Sequence, residues 1–569
     1  MRRKGRLLRV ETRLLGVLVG LALLATACGS EDDTASGRAR SPETDGRPVT
    51  GGNLVDLQNF GSSGEPDHID PALATTVKGS QPGHLIWDGL TETDYRTGEL
   101  KPMVAQSWTT GDLTTWEFTL RPNVTFSNGD PVLPSDFKFG WERVVTRSMA
   151  SKLSYHLTDN ARIKGAKEML AGTTSELTGV KADDARRTLT VELEAPLGIF
   201  PTIVSHLVFS PINRRTASQV SDQTRYEQDV MIGNGPYRMA EPWKHDQYIK
   251  LARNDTYWGG LNNHKAYIDT IEFRISKDIN AGYTEFESGQ GQTAYIPPGK
   301  NAEARGRYGD NVADGPILGV YSYLFNMRDP VVGGPTNVKL RQAISLAIDR
   351  KGIIDSAYSG TRKPATGFTP PGIPGYQEGL SAFAHRDVPR ARKLLAEWEG
   401  ETGRTAASVP PIKLNFGGGA GHEGVATLIQ ANLEDAGIRS TLDPRDNTTY
   451  FSQMRRGEGQ FLQAGWFWDY VAYDNGMFPN YDSRAIGGDN ISLYENPRFD
   501  AAIDDARRQR DSGRATSIYR TAEDMVLNQD TVVVPLNWYA GQVVYTDQLH
   551  NVIQGALGFL AYDEMWLSR

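Results

Sequence analysis

From Gly51 onward the chain alternates short apolar runs with longer amphipathic stretches, without an internal repeat or a low-complexity segment. Trp116–Leu120, Leu189–Leu193, Ile271–Ile275, Tyr321–Phe325 and Thr531–Leu536 alternate in polarity or are rich in β-branched residues, the pattern of half- or fully buried strands. The clearest helix is Val338–Ile354. Its Val338, Leu340, Ala343, Ile344, Ala347 and Ile348 fall on one face, and Asn337 is placed to cap its start. Arg386–Trp398 and Phe499–Arg507 carry the same periodicity. Together these elements predict a mixed α/β protein of several domains.

One segment imitates a nucleotide site. Ile412–Phe416 reads as a strand, Gly419 to Gly424 fits G-x-G-x-x-G, a helix follows from Val425 to Ala436, and a strand over Ile438–Leu442 ends at Asp443. That is the order of a dinucleotide-binding fingerprint. The glycine run is longer and looser than a tight phosphate turn, so the reading taken is a βαβ unit of a parallel sheet without the nucleotide.

The amino terminus is of another kind. Arg2, Arg3, Lys4, Arg6, Arg9 and Arg13 precede an uncharged segment from Leu14 to Ala27, which leads into Cys28, the only cysteine. Basic, apolar and small residues in that order read as a secretory signal over 1–27. The uncharged stretch of roughly 14 residues is shorter than the ~20 needed to span a bilayer. Ala25-Thr26-Ala27-Cys28 resembles the lipobox of bacterial lipoproteins, with alanine where leucine is usual, which implies a lipid on Cys28. A tether over 28–49 follows, its residues 29–48 lacking aromatic residues and apolar periodicity. The expected location is the outer face of a bacterial cytoplasmic membrane.

Without residues 1–27 the chain keeps 55 basic against 68 acidic side chains, a net charge near −13. This excludes nucleic acid as a natural partner and favours cationic or zwitterionic ligands. A single cysteine allows no intramolecular disulfide, so the core alone holds the fold. No G-x-S-x-G elbow occurs, and His422-Glu423 lacks a second histidine at helical spacing. The nine histidines are scattered singly, and Asp184, Asp504 and Asp505 read as solvated acids. No enzyme, cofactor or metal is therefore expected.

What does stand out is an ordered series of short segments. Ile69-Asp70-Pro71-Ala72 and Trp87-Asp88-Gly89-Leu90 come first, then Val104-Ala105-Gln106-Ser107-Trp108, Trp116 to Arg121, Phe126-Ser127-Asn128-Gly129 and Asp136-Phe137. Asn234-Gly235-Pro236-Tyr237, Asn254 to Trp258, Val338 to Ala343 with Ala347 to Arg350, Gly367 to Pro371 and Gly465 to Tyr470 follow. In order and spacing this series resembles extracellular solute-binding protein family 5, the oligopeptide- and dipeptide-binding receptors of ABC importers. The resemblance runs from Gly51 to Arg569.

It implies a two-lobed, periplasmic-binding-protein-like clamp (class II) with an additional domain in lobe I. Lobe I would take 50–92, 205–305 and 530–569, the additional domain 93–204, and lobe II 306–529, with crossings near 305 and 530. It implies a monomer that captures peptides, oligopeptides first, by lobe closure and passes them to a membrane permease. Asp469 would pair with the peptide's α-ammonium, with Asp474 as an internal competitor. Backbone contacts are implied at Thr75–Val77 and around Gly465–Trp468, and Trp466, Trp468, Tyr155 and Trp538 would line the cleft. Gln463 stands where an arginine would meet the peptide carboxylate, with Arg455 and Arg456 further back. An oligosaccharide, metal complex or other small molecule as ligand, a regulatory or peptide-sensing lipoprotein, and an exported hydrolase are the alternatives.

Overall fold

The computed structural model describes residues 46–58, 64–229, 231–260, 264–276, 278–313, 315–418, 421–447 and 449–568. The signal segment, Cys28 and all of the tether before residue 46 lie outside the described residues, as do Gly419 and Ala420. Among the described residues the strands form sheets of seven, six and four strands, with two two-stranded ribbons. No helix among them is long and apolar enough to cross a membrane.

The six-stranded sheet is organised by Pro316–Phe325, buried from Leu318 to its end and flanked by antiparallel Phe461–Phe467 and Val533–Ala540. Its two-residue period divides the side chains between two cores. Leu318, Val320 and Leu324 enter one, and Tyr321, Tyr323 and Phe325 the other. This is the sheet of lobe II. In the seven-stranded sheet of lobe I, Asn53–Asp56 runs parallel to both Thr270–Arg274 and Thr293–Tyr295. Four antiparallel strands between Ala105 and Glu192 make a third layer over the helix Pro134–Val145, around Phe118, Phe137, Trp141 and Val191.

The chain leaves the first sheet at Ala313 and enters the second at Pro316, then returns between Ala540 and Val543. The two passages touch, with Gly541 N–H donating to the Gly315 carbonyl at 2.9 Å. A β-carbon on Gly541 would stand 1.7 Å from the Gln554 amide nitrogen, so the Gln554 side chain packs where one would sit. The return therefore falls about ten residues later than the position near 530 inferred from sequence. The cause is Val533–Ala540, whose apolar run is a partner for the buried central strand and belongs to lobe II.

Two local expectations also change. Val338–Ile354 is two helices, Val338–Ala347 and Arg350–Tyr358, broken where Ile348 turns extended and the Asp349 carboxylate caps Gly352 N–H. Asn337 does not cap with its side chain. That amide holds the Gly333 carbonyl and accepts from Trp398 Nε1. The βαβ unit is present: Ile412–Gly417 is parallel to Ser440–Arg445, with Glu423–Asp435 between them. Glu423 occupies the first helical turn, putting negative charge where a phosphate would need the helix N-terminus free.

Several segments of the ordered series act as structural ties. Asp70 pairs bidentately with Arg143 in the interior, joining lobe I to the added layer. Asn234 bonds both the N–H and the carbonyl of Asp88. Arg341 donates to the carbonyls of Val332, Gly334, Asp530 and Thr531, and Arg350 to that of Pro535.

Candidate functional site

The strand Phe461–Phe467 is paired along its whole length on one side only. On the other, Ile412–Gly417 covers Phe461 and Leu462 and then diverges. Trp468 N–H donates to the Leu318 carbonyl across the paired side. By antiparallel alternation, the peptide groups of Gly465 and Phe467 face the uncovered side. Tyr450 Oη donating to the Gln463 carbonyl follows the same parity. A short strand edge therefore lies open, and it ends at Asp469.

Asp469 is held by Asn475, a buried residue that sequence reasoning missed. Asp469 N–H donates to Asn475 Oδ1 at 2.9 Å, and Asn475 Nδ2 donates back to Asp469 Oδ2 at 3.0 Å. Trp466 Nε1 donates to the same Oδ1 at 3.3 Å. Among the described residues no lysine or arginine pairs with the Asp469 carboxylate. Burial pushes its pKa up to about 7, against hydrogen bonds from Asn475 and Tyr155 and with the help of the Asp489 charge. Tyr155, from the added layer, faces it, and burial and that carboxylate raise the phenol well above its usual range. The structure thus brings Gly465, Trp466, Asp469 and Tyr155 together.

The competitor is eliminated. Asp474 is fully buried and receives Arg507 Nε and Nη2 at 2.7 Å each, with Tyr519 Oη at 2.9 Å. Its charge is already matched.

Other implied positions stand differently. Trp468 is 3% exposed, donates to the Ala472 carbonyl and packs on Phe368, so it is a core residue rather than a cleft wall. Trp538 is buried behind Tyr376, which meets it edge-on. Thr75–Val77 is not a strand edge. Asp67 takes the Thr75 N–H and both threonine hydroxyls, and Thr76 and Val77 then start the helix Val77–Ile86. Val77 remains exposed at its first position.

A cleft of about 770 Å³ is lined by Thr93, Leu100 and Thr202 on one side and by Ile373, Tyr376 and Val471 on the other. Along the open edge, the exposed Phe467 stacks on Tyr539 at 4.3 Å. Tyr539 leaves no room for a β-carbon at Gly465, whose position would be 2.4 Å from the phenol oxygen. The Arg362 guanidinium lies over Tyr539 and Tyr358 and donates to Asn537 Oδ1 at 3.0 Å. No carboxylate pairs with it among the described residues. No motif marked Arg362, since only the fold brings it beside Tyr539.

Among the described residues one group, His156, His206 and Asp469, offers three metal-ligand types with donor atoms within 4.8 Å of one another. The two rings stack at 4.3 Å and 24°, so their in-plane lone pairs run side by side instead of converging. His206 Nδ1 accepts from Val208 N–H, which leaves the ring hydrogen on Nε2. Both features count against a tetrahedral metal site.

The family model for bacterial extracellular solute-binding proteins, family 5, middle region, matches residues 99–488. The dipeptide-binding protein DppE of Bacillus subtilis is 26% identical over 568 residues, 98% of each chain. The oligopeptide-binding protein OppA of the same organism is 26% identical over 553 residues, 96% of this chain and 97% of that one. Among solved structures, Haemophilus influenzae OppA in complex with the peptide RPPGFSPFR has a TM-score of 0.73 at 24% identity, covering 92% of this chain and 100% of that one.

Proposed function

The chain belongs to the family 5 bacterial extracellular solute-binding proteins, and from that membership we propose that it captures peptides and delivers them to an ABC permease. The observation that carries this reading is a half-buried carboxylate without a cation among the described residues, standing at the end of an open strand edge. A peptide supplies what both lack. Its α-ammonium neutralises Asp469, and its extended backbone meets the peptide groups of Gly465 and Phe467 as an added strand. Tyr155 and Trp466 flank the amine, and Arg362, on its aromatic stack, receives the ligand's carboxylate.

Loading proceeds by separation and closure of the two lobes. The added layer touches lobe II through Gly198 N–H donating to the Arg507 carbonyl at 2.8 Å and through Arg162 and Asp504 at 3.5 Å. Closure over these contacts excludes water from the amine site. The protein then acts as a receptor rather than an enzyme, and a lipid on Cys28 keeps it beside its membrane partner. Cys28→Ala is expected to leave ligand affinity unchanged while moving the chain out of the membrane fraction.

Mass spectrometry of the molecules carried through native purification of the full chain tests the ligand class. Free-amine peptides are expected. A recovered oligosaccharide or a metal complex in their place contradicts the reading.

A further inference from the structure

His156 and His206 stand against Asp469, and the ligand contacts described above leave them unused. His156 is fully buried, and its Nε2 has no hydrogen-bond partner. Its Nδ1 lies 3.3 Å from the Asn160 amide. A ring nitrogen of each histidine lies within 4.8 Å of an Asp469 oxygen. The cluster spans the cleft: His156 and His206 come from the lobe I side, Asp469 from lobe II.

Resting on the ammonium reading of Asp469, we infer that His156 and His206 are positioning residues that couple ligand capture to proton release. A proton on either imidazole and the ammonium of the ligand are rivals for one carboxylate. Two cations cannot share that buried space, so closure over an amine requires both rings to be neutral.

The surroundings agree. Tyr155 stacks on His156 at 4.2 Å, His84 acts on His206 from the helix Val77–Ile86, and Tyr470 and Asp489 act on Asp469 and Tyr155 from lobe II. Asp489 is itself paired with Arg455. Burial in this structure pushes His156 down to about 3 and His84 to about 4. Burial, then the neighbouring histidines, holds His206 well below its usual value. In open, wetted lobes an imidazole ionises near ~6.5. The bound state thus has the lower histidine pKa, so affinity is complete above that value and falls as pH drops through it. Between pH 7.5 and 5.5 the loss is about tenfold per imidazole, roughly a hundredfold for the pair.

Isothermal titration of the full chain in buffers of different ionisation enthalpy reads this directly. The probes are a pool of tetrapeptides with free amino termini and the same pool N-acetylated. At pH 6.0 the free-amine pool should release about 2.4 protons per peptide bound, about 1.5 from two imidazoles ionising near ~6.5 and about 0.9 from Asp469, which burial raises to about 7. His156→Phe, which keeps the ring stack, and His206→Asn, which keeps an acceptor for Val208, should each remove about 0.75 of a proton from that release and flatten the pH profile. Release of only about one proton by the unmodified chain, the share of Asp469 alone, needs no variant to fold and overturns the histidine inference alone. Equal binding of the acetylated pool removes the ammonium reading, and this inference with it.

Discussion

Asp469 and Asp474 lie five residues apart at the end of one strand, in pockets of opposite design. The Asp474 pocket is completed from within: Arg507 and Tyr519 close around the carboxylate, and Phe478 lies 3.7 Å under the guanidinium. The Asp469 pocket is completed only by polar neighbours, Asn475 and Tyr155, and no protein cation reaches it among the described residues. Both carboxylates lose water on folding. The first recovers the cost inside the protein and serves stability, while the second keeps it unrecovered and is free to reward a ligand. Proximity in sequence therefore says nothing about which acid binds.

The comparison can be broken at its stable side first. Arg507→Met leaves Asp474 buried and unpaired, and should cost about 3–5 kcal/mol in urea unfolding. Adding Asp474→Leu to it should restore most of that loss, because the uncompensated charge is then gone. On its aromatic stack beside Tyr539, Arg362→Gln should weaken free-carboxylate peptides about ten- to a hundredfold, the worth of a charge-assisted hydrogen bond. Peptide amides should bind both forms alike.

A smaller effect distinguishes the pockets by pH. Burial raises Asp469 to about 7, above its unfolded value, so its contribution to stability is complete at acid pH and is lost as pH rises through 7. Asp88, raised to about 7, and Asp563, raised to about 6, both by burial, act in the same sense. In the ligand-free protein Asp469 alone should therefore cost about 2 kcal/mol of stability between pH 5.5 and 8.5, as its carboxylate ionises in the interior. Thermal unfolding of Asp469→Asn should show a shallower slope over that range.

The sequence made some of this readable and hid the rest for definite reasons. The βαβ unit around Ile412–Arg445 declares itself because strand and helix periods alternate at the right lengths. The break after Ala347 does not, because Asp349 suits an exposed helix face as well as a cap until Gly352 N–H is seen on it. Thr531–Leu536 announces a strand but carries no mark of its sheet, which is why the return crossing was placed too early. Thr75-Thr76-Val77 has the composition of a strand, and Asp67, eight residues before Thr75, bends it into a helix start.

At the site, Asp469 could be marked by its motif, whereas Trp466 and Trp468 look alike in sequence. Trp466 lies within the strand at its open edge, and Trp468 follows the strand's end and turns into the core. Asn475, His156 and His206 reach Asp469, and Arg362 reaches Tyr539, from separate places in the chain, so no single motif gathers them.

The central claim is that the unpaired carboxylate of Asp469 is the receptor for a ligand's ammonium. Calorimetric titration of Asp469→Asn with the free-amine and N-acetylated tetrapeptide pools at pH 7.5 tests it most directly. The account predicts a loss of roughly a hundredfold or more for the free-amine pool, from the cost of leaving one partner of a buried charge pair alone. It predicts no further loss for the acetylated pool. Unchanged affinity for the free-amine pool in the substituted, folded protein would contradict it.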